Sequence, residues 1–319
     1  MEAGWIVVSG ALCRRGQVVK TSVKYPEQGA ITLQRTGVMP SYIGENYEWS
    51  MFQAADGTIL YSTRLGTDWA RPGQLLYPIS GQDNGLLYIV THGYPASSLY
   101  KNSTVDRFIT QAAIWMYEDR GQIHDDFLNG ADSYGIMDKY ILPLAETASK
   151  VSSQTEIIEP VATIENGAMN HDKNDYFILR SPKITVAIDG GATATVSLSG
   201  HNDSGQYIVD EQGDHRTQFS DDESFYVEIP WVERLLNREI DVTVKGDVTL
   251  PRAVEYRTSL EGNYERLVGL KEVTAKVTTT VPLPTSIDLA IADYGVMSIG
   301  LLVAAGAIIV ACRALFKRH

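Results

Sequence analysis

The chain has 319 residues, enough for about two domains of ordinary size and a substantial hydrophobic core. Acidic residues outnumber basic ones 39 to 27, which gives a formal net charge of −12 and makes nucleic acid an unsuitable partner. The two cysteines, Cys13 and Cys312, stand near opposite ends of the chain, and the six histidines lack metal-ligand spacing. We therefore predict no disulfide, no metal site and no cofactor.

Residues 1–29 are predicted to be an N-terminal segment outside the folded domains. The first twelve, MEAGWIVVSGAL, are apolar but short, and Glu2 stands where an export signal needs basic residues. The segment indicates a degraded, truncated or mis-started signal peptide. Whether a signal lies upstream of Met1 stays open.

Residues 30–150 combine short alternating segments with one clear helical pattern. That helix is predicted to begin near Thr104, with Ser103 or Thr104 as N-cap and Asp106 favouring the helix dipole. A second helix is expected from Asp132 to Ser149, limited or kinked by Pro143.

Residues 151–175 are polar and predict a linker, whereas residues 176–283 alternate apolar and polar side chains. The alternation predicts a β-sandwich with strands of four to eight residues. Lys183 and Glu228 lie in suitable strands for a lysine isopeptide bond, but the last strand has no asparagine, so we interpret Lys183 as an ordinary surface residue. The acidic cluster from Asp210 to Glu223 indicates solvated turns rather than a calcium site.

The uncharged stretch 294–312 follows a short linker, 284–293, and precedes a basic tail, 313–319. Its 19 residues are just long enough as a helix to span a hydrocarbon core of about 30 Å. The basic tail predicts a single-pass membrane protein with its ectodomain outside and its C-terminus in the cytoplasm.

Two motifs in the first region resemble those of thioester domains in surface adhesins of Gram-positive bacteria. The segment TQAAIW matches the TQxAIW motif of that family and follows a GYP element, as the family's order requires. The matching residues are Gly93, Tyr94 and Pro95, then Thr110, Gln111, Ala113, Ile114 and Trp115. The sequence LPTS at 283–286 is similar to a decayed sorting signal.

The resemblance implies that a cysteine thiolate and Gln111 would lose ammonia to form an internal thioester, which a ligand amine then attacks. The cysteine position of the family corresponds to Ser62, after Tyr61. A serine hydroxyl without an adjacent general base is a weak nucleophile. Either a natural chain has lost the thiol or the residue was changed deliberately, and the sequence does not separate these explanations.

The sequence therefore predicts a β-rich α+β protein: a mixed α/β thioester-like domain, a β-sandwich stalk and one C-terminal transmembrane helix. Its expected function is a non-enzymatic cell-surface adhesin that binds an extracellular protein or amine-bearing surface ligand non-covalently. A structural cell-surface or pilus-associated role is the alternative. A transamidase-like enzyme is a weaker one, because only His92 or His124 is available to activate Ser62 and no GxSxG elbow surrounds it.

Overall fold

A computed structural model of the chain describes residues 6–8, 19–40, 42–43, 48–64, 70–79, 81–118, 132–153, 159–172, 175, 177–199, 205–231, 240–258, 266–284 and 287–288. Within these ranges, no helix has both the length and the apolar character needed to cross a membrane. The predicted span 294–312 and tail 313–319 lie outside the described residues, as do Cys13, Cys312 and His124.

The chain forms two compact units. Unit 1 contains Lys24–Ile157 and Val248–Ala275, and unit 2 contains Ile6–Val23, Ile158–Asp247 and the chain from Lys276. This division differs from the ranges predicted from sequence, because residues 248–275 belong to unit 1 rather than to the region 176–283. Alternation identifies residues 241–258 and 266–282 as strands, but it carries no information on which unit each half of a strand joins.

Seventeen strands are described. They are β1 (Ile6–Val8), β2 (Lys20–Lys24), β3 (Ile31–Pro40), β4 (Glu48–Ala54), β5 (Ile59–Ser62), β6 (Leu75–Pro78), β7 (Ala162–Ile164), β8 (Met169–His171), β9 (Ile178–Arg180), β10 (Ile184–Val186), β11 (Thr193–Ser199), β12 (Tyr207–Asp210), β13 (Gln218–Ser220), β14 (Ser224–Pro230), β15 (Asp241–Thr258), β16 (Arg266–Pro282) and β17 (Ile287–Asp288). Strands β15 and β16, of 18 and 17 residues, are longer than the predicted four to eight residues.

The helices whose bounds the structure describes lie in unit 1. They are α1 (Asn84–His92), α2 (Ser103–Glu118), a π-helical turn (Met137–Ile141) and α3 (Leu142–Val151). Helix α1 was not predicted, although Asp83 caps it by accepting a hydrogen bond from Leu86 N at 2.9 Å and Gly93 follows it.

The helix predicted to begin near Thr104 begins at Ser103 but has a different cap, and the later helix begins after the predicted Asp132. Asn102 is the residue that caps α2: its Oδ1 accepts hydrogen bonds from Thr104 N at 3.1 Å and Val105 N at 3.2 Å, so the predicted cap at Ser103 or Thr104 was wrong. Asp132 is not the start of the later helix, because its carboxylate accepts hydrogen bonds from Ile136 N and Met137 N ahead of the π-helical turn. Pro143 is tolerated because it lies in the first turn of α3.

Six strands of unit 1 form a closed ring in the order β16-β5-β4-β3-β6-β15, closed by the pairing of β15 with β16. Side chains alternate across these strands, as strand geometry requires. One face fills the inside of the ring with Leu33, Phe52, Leu60, Leu76, Val254, Tyr256 and Leu267. The other face, which includes Trp49, Tyr61, Ala253 and Val268, packs against α1, α2 and α3. The helices therefore cover the outside of the ring.

Unit 2 contains strands of two sheets. One sheet has the order β17-β8-β9-β14-β10-β7, with β12 pairing β14, and β11 and β13 belong to the other. The rings of Phe219 on β13 and Phe225 on β14 approach to 4.8 Å, so the buried faces of the two sheets meet. This is sandwich packing, with apolar side chains alternating into the core.

Candidate functional site

The site lies at the end of β5, where this strand runs beside the middle of α2. Tyr61 and Ser62 are buried, and Ser62 pairs with Leu267 of β16. Gly269, two residues along β16, lets this strand approach closely, since an added Cβ would lie 2.8 Å from the side chains of both Leu60 and Thr58. Strand β5 therefore packs closely against β16 up to Ser62.

Gln111 of α2 makes a reciprocal pair of hydrogen bonds with the backbone of Ser62. The Ser62 amide donates to Gln111 Oε1 at 2.9 Å, and Gln111 Nε2 donates to the Ser62 carbonyl at 2.7 Å. Gln111 is fully buried, so no water competes for these bonds. The structure thus brings together the two residues to which the sequence assigned the thioester position.

The hydroxyl of Ser62 takes part in a different interaction. Ser62 Oγ donates to the carbonyl of Arg64 at 2.7 Å and accepts from the Arg64 amide at 3.3 Å. Among the described residues it meets no histidine, because the ring nitrogen Nδ1 of His92 contacts Thr91 Oγ1 and the carbonyl of Tyr88. The serine therefore has no general base in the part of the chain that the structure describes.

Thr110 joins the two sequence motifs. Its Oγ1 accepts a hydrogen bond from the Tyr94 amide at 2.8 Å and donates to the Asp106 carbonyl at 2.9 Å. Gly93 is required beside it, because a Cβ on Gly93 would lie 2.5 Å from Thr110 Oγ1 and 2.8 Å from the carbonyl of Ile89. The next peptide bond, between Tyr94 and Pro95, is cis. Gly93 and Thr110 are therefore in close contact, and no larger residue fits at position 93.

Asp106 has a different role from the one predicted. Its carboxylate is 1% exposed and accepts hydrogen bonds from Ser98 Oγ at 2.7 Å, Leu99 N at 2.8 Å and Tyr100 N. These bonds hold the segment between α1 and α2 against the first turn of α2, so the contribution to the helix dipole is secondary. Sequence reasoning missed this role because an acidic residue in a first helical turn is usually solvated.

Tyr61 and Arg107 complete the buried surroundings of the pair. The Tyr61 hydroxyl donates to the carbonyl of Tyr94, and burial raises the pKa of Tyr61. Arg107, one turn before Gln111, donates from Nη2 to the carbonyl of Phe52 on β4. Successive polar residues of α2 therefore fasten the helix to β4, to β5 and to the turn at Tyr94.

Comparison with solved structures gives the fold. The Bacillus anthracis TIE protein matches with a TM-score of 0.52 and 14% identity, over 80% of this chain and 48% of that one. The thioester domain of the Enterococcus faecium TIE86 protein matches with a TM-score of 0.52 and 12% identity, over 83% of this chain and 99% of that one. This chain has the thioester-domain fold. No protein-family model matches the sequence, and no curated protein does.

The thioester-domain fold takes in far more of the chain than residues 30–150. Almost the whole of the E. faecium domain matches, and the match extends over 83% of this chain, so it includes β-rich sequence that was predicted to be a stalk. A separate stalk domain is thus not confirmed. This chain spans about half the length of the B. anthracis structure.

The remaining motif residues belong to the core of the thioester-domain fold. Ala113 and Ile114 are fully buried and Trp115 is 8% exposed, all packed among the helices and the outer face of the ring. This agrees with the packing role assigned to Ile114 and Trp115 from sequence. Thr110 and Gln111 are the polar residues of the motif, and both are also fully buried.

The end of α2 carries a group of carboxylates. Partial desolvation, together with the carboxylates of Asp83 and Glu255, raises the pKa of Glu118 to about 7. Burial likewise raises the pKa of Glu255. Arg64 and Arg266 oppose both shifts, and Tyr117 donates a hydrogen bond to Asp83 Oδ1 at 2.7 Å. The pKa of Glu118 therefore lies near neutral pH.

The candidate residues of unit 2 form surface ion pairs and turns. Lys183 Nζ lies 2.8 Å from Glu211 Oε1, whereas Glu228 lies 3.7 Å from Arg180 Nε. Asp210 Oδ1 accepts hydrogen bonds from Gln212 N and Asp214 N, which shapes a turn. Within the described residues no group of His, Cys, Asp or Glu is placed to hold a metal ion.

Proposed function

We propose that the chain is a cell-surface adhesin with a thioester-domain fold whose bond-forming site is silent. The observation that carries this proposal is the buried pair of hydrogen bonds between the Ser62 backbone and the Gln111 side chain. The pair sets the side-chain amide of Gln111 against the backbone of residue 62, the position that the resemblance gives to the cysteine. The ligand, an extracellular protein or an amine-bearing surface molecule, is held without a covalent bond.

The acyl side of the chemistry is well prepared. The Ser62 amide already donates to Gln111 Oε1, the atom that would carry negative charge during attack on Gln111 Cδ. Such a positioned donor lowers the barrier to acyl transfer. The Ser62 carbonyl accepts from Nε2, the leaving nitrogen, so both ends of the amide are fixed.

The nucleophile is what the site lacks. A thiol at position 62 would add through sulfur to Gln111 Cδ, its proton would pass to Nε2, and the Cδ–Nε2 bond would break to release ammonia. A serine hydroxyl has a much higher pKa than a thiol and needs a general base, and Ser62 Oγ instead donates to the carbonyl of Arg64. The oxygen is therefore occupied and unreactive.

In this proposal residues 294–312 anchor the chain in the membrane, with the two units outside the cell. A purely structural role at the cell surface is the alternative. It becomes the better account if position 62 supports no acyl chemistry at all.

Intact-mass spectrometry of the ectodomain tests the proposal. The unmodified chain is expected at its calculated mass, with no change after methylamine. The Ser62→Cys variant is expected to be lighter by one ammonia and then to gain methylamine, because the amine nitrogen bonds Cδ and the thiol is released. Ser62→Ala is the matched control and should keep its full mass. Full mass in Ser62→Cys as well would contradict the assignment of Ser62 and Gln111.

A further inference from the structure

Arg107 lies beside the Ser62–Gln111 pair but takes no part in it. Residues four apart on a helix are neighbours, with Cβ atoms about 6 Å from each other, so Arg107 lies directly next to Gln111 on α2. Its guanidinium interacts with Tyr61 and Tyr94, the two residues that link β5 to the turn after α1. Arg107 is only partly buried, unlike Gln111, which is fully buried.

The charge of Arg107 has no counterion within the part of the chain that the structure describes. The carbonyl of Phe52 is its one hydrogen-bond acceptor there, Nε is buried without a partner, and no carboxylate lies within ion-pair distance. The nearby carboxylate of Asp106 is taken up by Ser98, Leu99 and Tyr100. Burial also lowers the pKa of Arg107. A desolvated cation without an anion carries a cost that an incoming anion removes.

We propose that Arg107 binds a carboxylate of the ligand, next to the Ser62–Gln111 pair. The inference rests on the proposed function, because it takes that pair as the ligand site. A guanidinium is a planar fork of donors that matches a carboxylate. The ligand is thus a protein segment in which an acidic side chain lies within about 6 Å of the group that approaches Gln111.

Short amines with and without a carboxylate test this in the Ser62→Cys variant. They are small because Gln111 is fully buried. We compare the rate at which 4-aminobutyrate and propylamine open the thioester, followed by intact mass and corrected for the free-amine fraction. The carboxylate is expected to make 4-aminobutyrate react about tenfold faster, the scale of one charge-assisted hydrogen bond, and added salt should reduce the advantage.

The advantage should disappear in Ser62→Cys with Arg107→Gln and persist in Ser62→Cys with Arg35→Gln, which removes an exposed arginine of β3. Equal rates for the two amines, or an advantage that survives Arg107→Gln, would overturn the proposal. If Arg107 has a purely structural role, Arg107→Gln will lower the melting temperature and leave the ratio of the two amine rates unchanged.

A second experiment tests Arg107 even if the proposed function is wrong. If Ser62→Cys loses no ammonia, Arg107 is tested in the unmodified chain with acetate against chloride at equal ionic strength. Acetate should then raise the melting temperature of the unmodified chain and of Arg35→Gln more than that of Arg107→Gln. The same acetate shift in all three proteins would show that Arg107 binds no carboxylate.

Discussion

The sequence contains two pairs of residues of the types that form internal covalent bonds, Ser62 with Gln111 and Lys183 with Glu228. Their surroundings in the structure differ. In unit 1, Ser62 and Gln111 are buried and meet through hydrogen bonds of 2.9 and 2.7 Å. In unit 2, Lys183 pairs with Glu211 at the surface, and Glu228 faces Arg180 instead. Ser62 and Gln111 are therefore held in one buried arrangement, whereas Lys183 and Glu228 each pair with a different charged residue and Glu228 is half-buried.

The difference shows that the contacts around Ser62 and Gln111 hold these two residues in a fixed arrangement. Gln111 is held because α2 is fastened through Asp106, Arg107 and Thr110 to three neighbouring segments. Lys183 has no such framework, and an exposed ion pair holds its partners only weakly. Changes to the framework of unit 1 should therefore have large effects, and changes to the ion pair of unit 2 should have none.

The largest effect is expected from Gly93→Ala. The new Cβ would lie 2.5 Å from Thr110 Oγ1, and the backbone carbonyl of Ile89 at 2.8 Å leaves it no room to move away. Overpacking of this kind costs about 3 kcal/mol. Urea unfolding measures the loss, with Gly29→Ala as control because nothing lies within 4 Å of a Cβ there. Equal midpoints for both variants would show that the contact between Gly93 and Thr110 is not close-packed.

Thr110→Val separates hydrogen bonding from packing at the same contact. Valine keeps the shape but leaves the Tyr94 amide without its acceptor, which should cost about 2 kcal/mol. Combined with Ser62→Cys, it should also reduce the yield of ammonia loss, because Gln111 is the next residue on α2. Thr147→Val, whose hydroxyl donates only to the carbonyl of Pro143 at an exposed position, is the control. A full yield of ammonia loss in the double variant would show that Thr110 does not position Gln111.

The sequence predicts which residues meet at this site better than it predicts the residues that hold them in place. The motifs TQAAIW and HGYP led to Gln111, Thr110 and Tyr94, and the strand before Arg64 led to Ser62, although the roles of these residues stay predictions. The buried contacts of Asp106 and Arg107 could not be predicted, because single charged residues in a helix usually face solvent. Only the tertiary structure shows that α2 is covered on the side that carries them.

The fold was predictable to a similar degree. Alternation identified residues 176–283 as β-rich, because strands such as β11 and β14 bury one face. It could not show that β15 and β16 run on through both units, since strand partners depend on contacts far apart in sequence. Helix α1 was missed although Asp83 and Gly93 bound it, because its apolar run is short enough to suggest a strand.

A smaller effect is expected at the end of α2, where the pKa of Glu118 is raised to about 7 from its ordinary 4.5. The folded chain then binds more protons than the unfolded chain between these values. This contribution to stability is complete below pH 4.5 and is lost as the pH rises through 7. Urea midpoints from pH 5 to 8 should therefore fall less in Glu118→Gln than in the unmodified chain. Parallel curves for the two proteins would show that Glu118 titrates normally.

The smallest effect is expected from Lys183→Met, which removes the surface ion pair with Glu211. The unfolding midpoint should not change, because water solvates both charges almost as well when they are apart. Val186→Ala in β10, the strand that follows Lys183, is the contrasting control, since Val186 is fully buried and its truncation leaves a cavity. The unmodified chain should also show no loss of water, which an amide between Lys183 Nζ and a carboxylate would release. A mass lower by one water that returns to the calculated value in Lys183→Met would mean that unit 2 does form a covalent bond, and the contrast between the two regions would fail.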